Sequence, residues 1–156
     1  GKGCTFHIYL PVTESKIADQ TPTIEEDLKT GHETILLVDD EELILDIGEQ
    51  LLKGLGYQVI KTQSGARALD IYRQRTKDID VVLLDVIMPE MDGGDTFVEI
   101  HSLRPGLPVL LSSGYSVDGQ AAGILEMGCI GFLQKPFNLP DLSKKLREVL
   151  GSDPSD

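Results

Sequence analysis

Thr34-Ile-Leu-Leu-Val-Asp-Asp40 decides how this chain is read. Four apolar residues run together without polar alternation and stop abruptly at two acids. A short run of this kind suits a parallel strand covered on both faces. Four further runs of similar length are mostly unalternating, at residues 57–61, 79–84, 108–112 and 130–134. Helical patterns fill the intervals. Leu43, Ile47 and Leu51 share one helical face, and Leu55-Gly56 closes that helix with a glycine C-cap. Ala66, Leu69 and Tyr72 mark a second helix, and Phe97 and Ile100 a third. A fourth, at about 117–127, contains Gly119 and Gly123 and is therefore expected to be the least stable. Leu142, Leu146 and Val149 mark the last, with Pro140 and Asp141 in its first turn. Five β-α units over residues 34–150 predict an α/β fold: a doubly wound, five-stranded parallel sheet with helices on both faces. In such sheets function gathers at the carboxyl ends of the strands.

The flanks differ in composition. Residues 1–11 alternate like one strand, residues 12–33 carry six acids and two bases without a regular period, and residues 151–156 read as a frayed tail. The whole chain has 156 residues, 40% of them apolar, and a net charge of −12. That charge disfavours direct nucleic-acid binding, which needs clustered cations. It suits a metal cation or a partner with a basic or neutral face. No run approaches the roughly 20 apolar residues of a membrane span, and no secretion signal is visible. Two cysteines, Cys4 and Cys129, are too few for a disulfide framework or a zinc site. A reducing, cytoplasmic setting is expected. His7, His32 and His101 have no metal spacing and read as surface residues.

The chemistry lies at the strand ends. Strand one ends in Asp39-Asp40, strand three in Asp85, strand four in Ser112-Ser113 and strand five in Lys135-Pro136. Taken singly, each is an ordinary loop residue. Together they bring three carboxylates, a hydroxyl and an ammonium to one edge. Crowded carboxylates repel unless a cation sits among them, and hard oxygen ligands suit Mg2+, with Mn2+ as an alternative. A lysine opposite them offers a counter-charge to a phosphoryl group. The set fits a metal-assisted phosphoryl transfer with one carboxylate as nucleophile.

Four motifs, in order, resemble those of response-regulator receiver domains: Ile35-Leu-Leu-Val-Asp-Asp-Glu41, Asp85-Val-Ile-Met-Pro-Glu-Met-Asp-Gly93, Leu111-Ser-Ser-Gly-Tyr115 and Gly131-Phe-Leu-Gln-Lys-Pro-Phe137. The resemblance implies a flavodoxin-like sheet of strand order 2-1-3-4-5. It implies Asp85 as phosphoacceptor, with Mg2+ held by Asp40, by Asp39 mainly through water, by Asp85 and by the backbone carbonyl of Ile87. Lys135 would pair with the phosphoryl group, and the Lys135–Pro136 bond would be cis. Ser113, with Ser112 the competing hydroxyl, aligns with the residue that contacts a phosphoryl oxygen after activation. Phe132 aligns with the aromatic switch residue, where tyrosine is frequent. Ile87 and Tyr115 flank the phosphoryl group in the family, and their bulk predicts slow hydrolysis. Asp92 and Gly93 read as turn formers, and Glu41 as an acid at a helix start.

Gly1-Lys-Gly-Cys-Thr-Phe6 with Tyr9-Leu-Pro11 resembles the end of the ATP-binding domain of histidine kinases. The order of kinase remnant, acidic linker and receiver resembles the C-terminal part of a hybrid histidine kinase. It implies a phosphohistidine donor on the parent kinase's helical domain or on a histidine phosphotransfer protein. No kinase activity is expected of the remnant itself. The parent is allowed a membrane anchor, and the receiver a monomeric or weakly dimeric state. Two further readings use the same residues: a degenerate receiver acting only as an interaction module, and an aspartyl-phosphate phosphatase. The phosphatase reading wants an Asp-x-Asp motif after strand one, where this chain has adjacent Asp39-Asp40. A flavin domain on the same sheet would meet repulsion between Asp39-Asp40-Glu41 and a phosphate.

Overall fold

The computed structural model describes Cys4, residues 28–114 and residues 120–151. Its elements alternate strictly: β1 (Thr34–Val38), α1 (Glu42–Gly54), β2 (Gln58–Thr62), α2 (Gly65–Gln74), β3 (Val81–Asp85), α3 (Gly93–Leu103), β4 (Val109–Ser113), α4 (Gln120–Glu126), β5 (Gly131–Gln134) and α5 (Leu139–Leu150). The strands form one parallel sheet in the order β2-β1-β3-β4-β5. Fold class and strand order are those expected.

The apolar runs of β1, β3 and β4 are buried on both faces, and their residues divide by parity. Leu36, Val38, Val82, Leu84, Val109 and Leu111 face the layer that holds α2, α3 and α4. Ile35, Leu37, Val81, Leu83 and Leu110 face the layer that holds α1 and α5. A period of two therefore exists in these strands, but both phases are apolar, so no alternation is visible in the sequence. Among the described residues, side-chain caps start three helices: Ser64 accepts from the Arg67 amide, Asp92 from Asp95 and Asn138 from Asp141. Among the described residues, no helix is long and apolar enough to cross a membrane.

Several expected boundaries move by one or two residues. Strands β2, β3 and β4 each run one residue further toward the carboxyl edge than the apolar runs do. Ladder bonding, not hydrophobicity, sets these ends: Asp85 pairs with Ser112, and the Asp39 amide donates to the Thr62 carbonyl at 3.2 Å. The fourth helix, read from about residue 117, is described from Gln120, and residues 115–119 lie outside the described set. Of residues 1–11 only Cys4 is described, and it is exposed. Cys129 is buried beside β5, its thiol donating to the Val109 carbonyl at 2.9 Å.

The face expected for α1 is the wrong one. Leu43 is 68% exposed and Ile47 46%, while Leu45, Gly48 and Leu52 form the buried stripe. The buried stripe runs through a glycine that packs against Leu37, so its middle position carries no apolar side chain for a pattern to register. In α2 the buried alanine is Ala68, and Ala66 is exposed. Leu52→Ala is therefore expected to cost about 2–5 kcal/mol and Leu43→Ala less than about 0.5 kcal/mol. Urea unfolding of the two variants checks this; equal losses would contradict the assignment.

Candidate functional site

The acidic ends of β1 and β3 and the basic end of β5 meet at the carboxyl edge of the sheet. Asp39 and Asp85 are buried, at 1% and 5% exposure, and Asp40 is the more exposed of the three acids. Each of the three offers a carboxylate oxygen within 4.8 Å of the other two. Lys135 crosses from β5, its Nζ donating to Asp39 Oδ2 at 2.5 Å and to Asp85 Oδ1 at 2.8 Å. The second oxygen of each buried acid takes a backbone amide: Glu41 N–H to Asp39 Oδ1 at 3.1 Å, and Ile87 N–H to Asp85 Oδ2 at 3.2 Å. Both carboxylates are thus oriented by two donors each, as buried charges require.

The electrostatics follow from this crowding. Burial pushes the Asp85 carboxyl above the usual carboxylate range; Lys135 opposes the rise and the Asp39 charge adds to it. Burial also works against the Lys135 ammonium. Its hydrogen bonds to Asp39 and Asp85 outweigh that penalty, and hold the amine protonated above the usual lysine range. Three carboxylates against one ammonium leave excess negative charge on hard oxygen donors, a donor set that fits a divalent cation such as Mg2+ or Mn2+.

Neighbouring residues shape the edge. Ser113 ends β4, buried, and its carbonyl accepts from the Lys135 amide at 2.8 Å. Ser112 is also buried, opposite Asp85 in the ladder. Phe132 is half-buried, packed against the core on the α2-α3-α4 side. Ile87 is exposed next to Asp85, and the Lys135–Pro136 bond is cis. Tyr115 lies outside the described residues. Asp92 caps α3, and the Gly93 amide donates to the Val86 carbonyl at 3.0 Å. A Cβ on Gly93 would collide with the Asp85 carbonyl and the Val86 Cα, so only glycine lets α3 start this close to the acid. Sequence reasoning took Gly93 for a turn former and missed this seat. Its position just after a helix-capping acid was the available signal.

Residues 35–147 match the response regulator receiver domain family. The sensor kinase CckA of Brucella abortus (strain 2308) is 37% identical over 158 residues, covering 96% of this chain. The chain spans only 17% of that protein's own length. A response regulator receiver domain protein from Clostridium thermocellum superposes with a TM-score of 0.72 at 30% identity, covering 76% of this chain and 94% of that one. The receiver domain of a Pseudomonas aeruginosa PAO1 sensor histidine kinase, with a magnesium ion coordinated in its active site cleft, gives a TM-score of 0.71 at 27% identity. That match covers 78% of this chain and all of the other. The family match, the sheet order and the acidic edge agree, and this chain belongs to the response regulator receiver domain family of two-component phosphorelays.

Proposed function

We propose that Asp85 accepts a phosphoryl group from a phosphohistidine, and that the resulting acyl phosphate switches the domain until hydrolysis resets it. The observation that carries this is the placement of Asp85: buried at the end of β3, held by Lys135 and the Ile87 amide, with Asp39 and Asp40 beside it. An Asp85 carboxylate oxygen forms the new P–O bond as the P–N bond of the donor breaks, and the imidazole nitrogen keeps the electron pair. Asp39, Asp40, Asp85 and the Ile87 carbonyl would hold Mg2+, which when bound neutralises charge on the phosphoryl oxygens. Lys135 pairs with the same group, giving up part of its hold on Asp85. Ser113 donates its hydroxyl to a phosphoryl oxygen, and Phe132 follows it inward as the second half of the switch. Water attack on phosphorus then returns the carboxylate and inorganic phosphate. Ile87 and Tyr115 hinder that water.

The receiver is proposed to work within a hybrid histidine kinase. Two features support this: the resemblance of residues 1–11 to a kinase ATP-binding domain, and the extent of the CckA alignment beyond the receiver. The donor would be a helical domain bearing the phosphohistidine. Leu43 and Ile47 on the outer face of α1 offer it an apolar footing near the acidic edge.

Incubation with acetyl phosphate and Mg2+ should add one phosphoryl group to the intact mass of the wild type and none to Asp85→Asn. Absence of both an adduct and Mg2+ binding would leave only an interaction module. Truncating Ile87 and Tyr115 to alanine should shorten the phosphate lifetime severalfold, read by loss of the adduct mass; an unchanged lifetime would remove their tuning role.

Lys135→Met leaves Asp39 and Asp85 facing each other without a counter-charge. Without divalent cation at pH 7 it should lose on the order of 2 kcal/mol of stability. Asp85 already titrates above its unfolded value, so protonation favours the folded state and the deficit should shrink as pH falls through the folded-state pKa. Urea unfolding at pH 7 and pH 5 reads the difference. A deficit that holds or grows on acidification would contradict the argument.

A further inference from the structure

Residues 28–33 precede the first strand and have no helical or strand period, yet they are bonded to three separate elements. The Lys29 carbonyl accepts from the Ser143 hydroxyl of α5 at 2.9 Å. The Gly31 amide donates to the Leu55 carbonyl at the end of α1, also at 2.9 Å. The Glu33 carbonyl accepts from the Gln58 amide of β2 at 3.0 Å. The Glu33 carboxylate pairs with Arg147 of α5 at 2.7 Å, and Arg147 Nε donates to the Tyr57 hydroxyl at 2.9 Å.

Arg147 is only 7% exposed. A buried guanidinium without a carboxylate is strongly unfavourable, and the carboxylate here comes from the segment itself. The fit is also steric. A Cβ on Gly31 would fall within contact distance of Tyr57, Glu33 and Arg147 at once, and a Cβ on Gly56 would strike the Gly31 carbonyl. Both halves of this corner thus need bare backbone where they cross.

We propose that residues 28–33 form a latch that seats the incoming chain between the α1–β2 turn and α5. The latch fixes the entry point at the amino edge of the sheet, roughly 17 Å, or one five-residue strand, from the acidic edge. Anything upstream is then joined to the seated domain at residue 28 rather than at 34. Six residues held down remove about 20 Å of reach, which limits where an upstream donor can meet Asp85. The occupant of this corner is the chain's own segment, and its seating does not depend on phosphoryl chemistry.

The test uses the 156-residue chain as wild type, Gly31→Ala and Glu33→Gln. Trypsin cleavage after Lys29 needs the segment to leave its seat, and mass spectrometry of the 30–156 product follows it. Both variants should be cut about ten-fold faster than the wild type, and in the wild type the opening that exposes Lys29 should be at least about ten-fold more frequent than the opening that exchanges the Leu83 and Leu110 amides. Equal cleavage rates in all three proteins would overturn the latch. A Lys29 opening in the wild type no more frequent than the opening that exchanges Leu83 and Leu110 would also overturn it, because the segment would then be an inseparable part of the cooperative fold. Should Gly31→Ala not fold, Glu33→Gln with Ser143→Ala decides between the same outcomes.

Discussion

One ammonium group holds the working edge together. Asp39 and Asp85 arrive on neighbouring strands and are both buried, so left alone they would repel in a medium that screens poorly. Lys135 reaches both from β5, two strands beyond β3, and makes the arrangement tolerable without neutralising it. The residual negative charge is what a divalent cation can use, and the oriented carboxylate is what an incoming phosphorus can meet. The sheet order matters for this reason: with β3 between β1 and β4, the two acids stand side by side and the lysine closes on them from the far strand.

The acids were legible because Asp39 and Asp85 break apolar runs, the lysine because it directly follows the last strand, and all three because a parallel sheet carries its strand ends of one sense to one edge. The contacts among them were not. Nothing in the spacing of Asp39, Asp85 and Lys135 says that one amine touches both carboxylates; that depends on register across four strands. Gly93 was legible as a glycine but not as a seat, since its close approach to the Asp85 carbonyl joins a helix start to the end of a strand several residues earlier.

Helix α1 shows a different limit. Its sequence holds two apolar stripes, Leu43-Ile47-Leu51 and Leu45-Leu52, and helical periodicity admits both. The choice is made by tertiary packing: the stripe with a glycine in the middle can approach Leu37, and the more regular stripe is left mostly outside. The segment 28–33 was hidden for a similar reason. Its partners Ser143 and Arg147 lie more than a hundred residues away, and Arg147 reads in sequence as one more charge on an amphipathic helix.

The two thiols differ enough in surroundings to have a practical use. Thiolate is the species that reacts with maleimides and iodoacetamides. Burial raises the Cys129 thiol above its ordinary pKa, and its proton is committed to a backbone carbonyl. Cys4 is exposed, twenty-four residues before the start of the latch. Residues 1–156 therefore carry one addressable attachment point for a dye or spin label, on the upstream side of the segment that sets the domain's reach, and no cysteine within them has to be added or removed to use it.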